Sequence, residues 1–324
     1  MRISSFFFLA LANAGVVLSQ ATGENETRHS VLPYLFSIPG NAIFTVVFGL
    51  LAIAHFTNFL LYRSQRRGSN DSGTKWTLTL PIAELTMTLG FIFRLVCRSN
   101  QYSIGLYAVC NLLILLSPAA FLGFIYLAFS RLLRITSPPS TAKTPNDKLP
   151  KRRKIGTFFI WSDIVTFLIQ ASGGGLQASA SSKAIGDKLF LAGVSLQCAS
   201  YFLFLGITVF YHVKESRQGT LTRTTRFFLL AIYLASIGVI VRSVYRIVEM
   251  AGGYTGHIYR TELFLLFLDS LPLALANLVW VLVWPPRIFE QILDEVMEQH
   301  QSANRNDFHF VEGRSASSDP KFEA

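Results

Sequence analysis

Long runs of apolar residues alternate along this chain with short polar stretches, and every second polar stretch is rich in Lys and Arg. A helix needs about 20 apolar residues to cross the hydrocarbon core of a bilayer. Seven segments meet that requirement: 41–61, 76–96, 105–129, 155–176, 189–211, 227–250 and 263–284. Lipid offers no partner to a backbone N–H or C=O, so each segment is predicted to be helical. The expected fold class is therefore all-α, a polytopic membrane protein with seven transmembrane helices.

The flanking charge gives the bundle a direction. Arg63, Arg66, Arg67 and Lys75 follow the first span. Arg131, Arg134, Lys143, Lys148 and the cluster Lys151, Arg152, Arg153, Lys154 follow the third, and Lys214, Arg217, Arg223 and Arg226 follow the fifth. The alternate loops hold only Arg98, then Lys183 and Lys188, then Arg260. By the positive-inside rule the N-terminus is expected outside and the C-terminus in the cytosol.

Residues 1–19 have a basic start at Arg2 and an apolar run from Phe6 to Val17, with small Val17 and Ser19 before Gln20, which is the pattern of a signal peptide. An extracellular segment 20–40 would follow, carrying the glycosylation sequon at Asn25, then the seven-helix domain 41–285 and a cytosolic tail 286–324. A second sequon at Asn70 falls on the expected cytosolic side. The proline-bearing stretch 137–150 reads as a linker. Ile288, Ile292 and Val296 outline a short amphipathic helix for the inner leaflet, with a polar, partly disordered remainder. Secretory entry and the plasma membrane are the expected route and place.

Composition agrees: the chain of 324 residues is 51% hydrophobic and only 15% charged, with a mean hydropathy of +0.41. The net charge of +10 is largely the loop bias already described, so it does not point to nucleic acid. The odd count of 3 cysteines argues against a disulfide framework, although Cys97 and Cys110 fall near the same end of neighbouring spans. No phosphate-binding glycine loop, His-Glu-x-x-His run or nucleophile elbow is present, and His55 has no acidic or Cys neighbour in sequence. The sequence thus nominates no catalytic residue, no metal ligand, no cofactor and no enzyme.

The informative residues are the polar ones inside the spans. An ionisable side chain at membrane depth costs roughly 2.5–3.5 kcal/mol on insertion scales unless it is paired or wetted. Arg242, Arg246 and Glu249 stand at i, i+4 and i+7 and share one helix face; Glu262 and Asp269 repeat the seven-residue spacing, as do Asp163 and Gln170. Arg94 lies near the outer end of the second span with Glu84 deeper, and Gln170 and Gln197 are the expected hydrogen-bond partners for Asp163. Such seams belong in the bundle interior. Two readings stay open: an interhelical clamp, or an outward vestibule that takes the headgroup of an amphipathic solute. Pro118 and Pro272 should distort their spans. The run Ser172-Gly173-Gly174-Gly175 fits close helix approach, a backbone break or a helix end.

The run from Asp163 through Phe167 and Gln170 to Gly173-Gly174-Gly175, and the block Arg242-Ser-Val-Tyr245-Arg246-Ile-Val-Glu249 followed by Gly253, Gly256, Glu262, Asp269, Pro272 and Pro285, carry a resemblance. Together with Glu84, Gly90, Arg94, Pro118, Tyr126 and Gln197, they closely resemble the signatures of the fungal lipid-translocating exporter (RTA-like) family of seven-span membrane proteins. Phe91 stands where many members have tyrosine. The resemblance implies export or transbilayer movement of amphipathic lipids such as sphingoid long-chain bases, with resistance to toxic amphiphiles. Its expected partners are membrane lipids and amphipathic small molecules, and its candidate ligand-binding residues are Glu84, Arg94, Asp163, Gln170, Gln197, Arg242, Arg246, Glu249, Glu262 and Asp269. A seven-helix receptor or lipid-stress sensor is the alternative. With no nucleotide site, movement would draw on a gradient, through a proton on a carboxylate such as Asp163 or Asp269, or run downhill.

Overall fold

The computed structural model describes residues 36–65, 74–99, 104–136, 149–177, 182–252 and 261–298. The expected signal peptide, the sequons at Asn25 and Asn70, most of the linker, Gly253 and Gly256, and the tail beyond 298 lie outside the described residues.

Seven helices are long and apolar enough to cross a membrane. They are α1 Ile38–Gln65, α2 Thr79–Ser99 with a 3₁₀ turn Lys75–Leu78 leading in, α3 Ile104–Ile135, α4 Leu149–Leu176, α5 Lys183–Gln218, α6 Arg223–Ala251 and α7 Glu262–Leu282. Hydropathy located each one but made most of them too short. It measures the hydrocarbon thickness, whereas a helix can continue into the polar interface, where water satisfies its last carbonyls. The linker shows the same effect: α4 starts at Leu149 with Pro150 in its first turn, a position where the missing N–H does no harm, so the basic cluster is helical.

Ends are set locally. The Thr222 hydroxyl accepts from Thr225 N at 3.2 Å and caps α6. Gly219 closes α5 at φ +68°, in the left-handed region that glycine enters without strain. Consecutive helices are neighbours around the bundle, and α7 returns to pack on α1. Large buried aromatics, among them Phe48, Phe91, Phe121, Phe124, Tyr126, Phe204 and Trp280, fill the interior, while Ile53, Phe158, Phe210 and Leu282 are exposed on faces suited to lipid.

The glycine run acts through close approach. Helix α4 continues through it to Leu176. A β-carbon on Gly173 would lie 2.6 Å from Phe190 N of α5, and one on Gly186 would lie 2.7 Å from Gln177 N. Contacts that tight require both glycines, and in a membrane small residues let backbones gain dispersion contact that lipid cannot match.

Helix α7 is irregular in its first third. Glu262–Phe264 is α-helical, Leu265–Ser270 widens into a π-helical turn, and Leu271–Leu282 is α-helical again. Pro272 supplies the cause, since it has no N–H to give and its ring crowds the carbonyl four residues back. Pro118 is instead contained within α3.

Residues 285–298 form an eighth helix, α8. Its apolar face is not free for the leaflet. Ile288, Phe289 and Ile292 are buried, Phe289 packs its ring on Trp76 and Phe228, and Glu290 accepts from the Tyr62 hydroxyl at 2.6 Å. Helix α8 therefore closes one end of the bundle, the end where α1 finishes and α6 begins.

Candidate functional site

The polar residues of the spans gather in four layers. The first lies at the end of the bundle away from α8. Arg94 of α2 donates from Nε to Asn41 Oδ1 of α1 at 2.8 Å and from Nη2 to Glu262 Oε1 of α7 at 2.9 Å. Asn41 Nδ2 also donates to Glu262 Oε1 at 2.7 Å, Ser37 N donates to Glu262 Oε2 at 2.6 Å, and the Arg94 guanidinium lies 3.9 Å over the Phe36 ring. Both charges are buried, each carboxylate oxygen has donors, and three helices meet. This layer is a clamp. Asn41 is its unforeseen member, sitting at the first turn of a span where sequence spacing offers no partner.

The second layer is about two turns deeper along α7. Arg246 Nε donates to Asp269 Oδ1 at 2.6 Å, Arg242 Nη1 pairs with the same oxygen, and Arg246 Nη1 donates to Glu249 Oε2 at 3.1 Å. Tyr245 OH completes it, donating to Glu249 Oε1 at 2.8 Å. Two cations thus face two anions, and the seam read from the α6 spacing does meet Asp269. Glu262 does not share that seam with Asp269. The π turn between them advances through a smaller angle per residue than an α-helix, so the seven-residue spacing no longer returns to one face.

A small cavity of about 40 Å³ opens beside this layer. Its polar lining is Gln170 of α4, Gln197 of α5 and Arg242, Ser243 and Arg246 of α6, against Leu122 and Pro118 of α3, Val194 and Leu273. Gln170 Nε2 donates to Gln197 Oε1 at 2.8 Å, so these two amides serve each other rather than Asp163 as the sequence suggested. Gly193 makes room for the pair: its β-carbon would come 2.7 Å from Gln170 Cγ. The space admits a water or two and no lipid chain. It brings guanidinium and amide donors together at an apolar wall in the middle of the bundle.

The third layer holds Asp163, which is 4% exposed. Tyr126 of α3 and Tyr201 of α5 are the titratable groups that face it. Tyr201 donates to Ser236 Oγ of α6 at 2.7 Å, and Ser236 in turn to Ile232 O. Tyr201 and Ser236 were not among the sequence candidates. The signal was present, since Tyr201 follows Gln197 by four residues on one face of α5.

The fourth layer lies nearest α8. His55 Nδ1 of α1 meets the Glu84 carboxylate of α2 at 2.8 Å, both side chains fully buried, with Trp284 against the imidazole. Glu84 therefore does not join Arg94. Ten residues of α-helix separate them by about 15 Å and turn them to different faces. His55, which has no acidic neighbour in sequence, gains one only from the pairing of α1 with α2.

Cys97, Cys110 and Cys198 are free and buried, so no disulfide clasps α2 to α3. Among the described residues no group of His, Cys, Asp and Glu is placed to hold a metal.

With this geometry in hand, comparison with known proteins is decisive on ancestry. The family described as RTA1 like protein matches residues 80–292, from the start of α2 into α8, which takes in Arg94, Glu262, the Arg242 cluster, Asp163 and Glu84, while Asn41 and His55 of α1 precede it. The chain belongs to the RTA1-like family. Relatives of this RTA1-like chain in Saccharomyces cerevisiae include Protein RTM1, 31% identical over 198 residues, covering 60% of this chain and 62% of the relative. Protoporphyrin uptake protein 1 is 30% identical over 191 residues, covering 58% and 61%. The sphingoid long-chain base transporter RSB1 is 23% identical over 313 residues, covering 84% and 77%. The first two matches thus span about three fifths of those relatives. No solved structure matches the chain.

Proposed function

We propose that this RTA1-like protein moves amphipathic lipids, such as sphingoid long-chain bases, between the leaflets or out of the cell at the plasma membrane. One observation carries the reading. The ion cluster of Arg242, Arg246, Glu249 and Asp269 borders a cavity in the bundle through its two arginines. A cluster that served only to hold helices would gain by excluding that space. The names of two relatives, one a sphingoid long-chain base transporter and one a protoporphyrin uptake protein, lend support. The cavity is too small for an acyl chain, so the headgroup would enter between the helices and the tail would stay among the exposed apolar faces. The orientation that goes with this reading has the Arg94 end outside and α8 in the cytosol.

The test uses liposomes containing only the purified protein and a labelled long-chain base. Ser243→Leu fills the cavity from a residue that makes no ion pair, and should cut flux at least tenfold with the melting temperature retained. Asp269→Asn should abolish flux, at a cost in stability because it leaves two guanidinium groups short of charge. Wild-type flux in a well-folded Ser243→Leu protein would remove the cavity from the pathway. The receptor alternative has no observation of its own in its favour; α8 uses its apolar face within the bundle, which leaves less of it to offer a signalling partner.

A further inference from the structure

Acidic residues inside the spans fall into two classes. Glu84 faces His55, Glu249 faces Arg246, Glu262 faces Arg94, and Asp269 faces both Arg242 and Arg246. Asp163 faces no base among the described residues, and neither of its carboxyl oxygens completes a hydrogen bond of ordinary geometry. It is nonetheless 4% exposed, near the middle of α4.

The donors around it fit an acid better than an anion. Helix α4 is packed between α3 and α5. From α3 the facing group is the Tyr126 hydroxyl, and from α5 it is Tyr201. Tyr201 has a single proton, and it goes to Ser236. Tyr201 therefore has no proton left for Asp163, and Tyr126 is the facing hydroxyl that can donate to it. A carboxylate buried here would have one donor and no counter-ion among the described residues, whereas a carboxylic acid carries no charge and can still accept from Tyr126. An uncompensated charge is costly in an apolar medium.

The layer lies one to two helical turns from the cavity. Gln170, two turns from Asp163 on α4, and Gln197, one turn from Tyr201 on α5, both line it. Asp269, the other carboxylate named for a gradient, is already paired with two arginines.

We propose that Asp163 is a cation-exchange site: it holds a proton in the closed bundle and releases it when the ammonium head of an amphiphile, on its way outward to the cavity, takes its place. The O–H bond breaks with its electron pair remaining on the carboxylate, the proton goes to water, and the organic ammonium becomes the counter-ion, so the layer is neutral before and after. Reprotonation expels the amine. This rests on the proposed movement of amphipathic bases and supplies its energy source, an inward proton for each outward cation.

The first measurement needs no transport. Infrared spectra of the purified protein at neutral pH should show the carbonyl stretch of a protonated carboxylic acid that is absent in Asp163→Asn and displaced in Asp163→Glu. The glutamate variant assigns the band if the asparagine variant does not fold. Dodecylamine should bleach the band and release about one proton per amine bound, whereas N-acetyl-dodecylamine, which carries no charge, should do neither. No band attributable to residue 163, or a band indifferent to dodecylamine, overturns the proposal. In proteoliposomes a proton gradient should drive amine flux in wild type and Asp163→Glu but not in Asp163→Asn; gradient-driven flux that survives in Asp163→Asn overturns it as well. An intact band and proton release with no wild-type flux would uphold the exchange site and instead defeat the transport function.

Discussion

Glu262 accepts from Arg94, Asn41 and Ser37 at once, so its removal takes from a buried guanidinium and a buried amide one acceptor that they share. Breaking one side of a buried ion pair costs about 3–5 kcal/mol in soluble proteins, and membrane polar contacts run smaller, about 0.6–2 kcal/mol. Glu262→Gln should therefore destabilise the detergent-solubilised protein by roughly 1–3 kcal/mol. The double variant with Arg94→Met should recover part of that loss, a coupling that a double-mutant cycle reads directly; additive losses would mean that the two side chains do not share a clamp. At this scale the sequence was only half legible. Spacing on α6 placed Arg242, Arg246 and Glu249 on one face and gave their signs, which suffices to find Asp269. Partners on other helices, such as His55 for Glu84, Asn41 for Arg94 or Tyr126 for Asp163, depend on how each helix is rotated about its axis, and no local pattern records that rotation.

Among elements, the glycines of α4 and α5 separate two roles that sequence alone cannot tell apart. Gly186→Ala would force a β-carbon to within 2.7 Å of Gln177 N and 2.8 Å of Gly173 O, both backbone atoms that cannot swing aside. It should lower stability and part the two helices. Gly206→Ala, on the same helix with nothing within 4 Å of its β-carbon, should be neutral or stabilise by about 0.5–1 kcal/mol through helix propensity. Equal effects at both sites in thermal unfolding would contradict the close contact. Helix α8 gives a pH dependence. Partial burial pushes the Glu295 carboxyl up, but hydrogen bonds from Thr222 and Thr224 outweigh it and hold the group below its ordinary value of 4.5. A depressed carboxyl stabilises docking fully above the unfolded value, and that contribution fades as pH falls through the folded one. Protection of 285–298 against hydrogen exchange, taken relative to the unstructured chain at each pH, should fall below the ordinary carboxylate range, and Glu295→Gln should be less protected already at neutral pH; a variant that matches wild type there would deny Glu295 a part in docking. Spacing made the apolar stripe of α8 legible through Ile288, Ile292 and Val296, but not its destination, because a stripe that suits a lipid surface suits a bundle end equally well.

For the whole molecule, hydropathy settled the architecture because lipid leaves a backbone so few choices: seven apolar runs became seven helices, and the exposed faces of α1, α5 and α6 are as greasy as their interiors. What distinguishes this bundle from a merely stable one is the contrast among its polar layers. The clamp at Arg94 sets one cation against one anion whose two oxygens both accept hydrogen bonds, while the layers around Arg242 and Asp163 border a cavity or face no base among the described residues. These central layers are the proposed route for amphiphiles. Its sharpest test is the flux of a labelled long-chain base into liposomes whose only protein is this chain, compared with protein-free liposomes and with Ser243→Leu. A route there gives protein-dependent flux that collapses when the cavity is filled. Folded wild-type protein that moves the base no faster than bare lipid would contradict it.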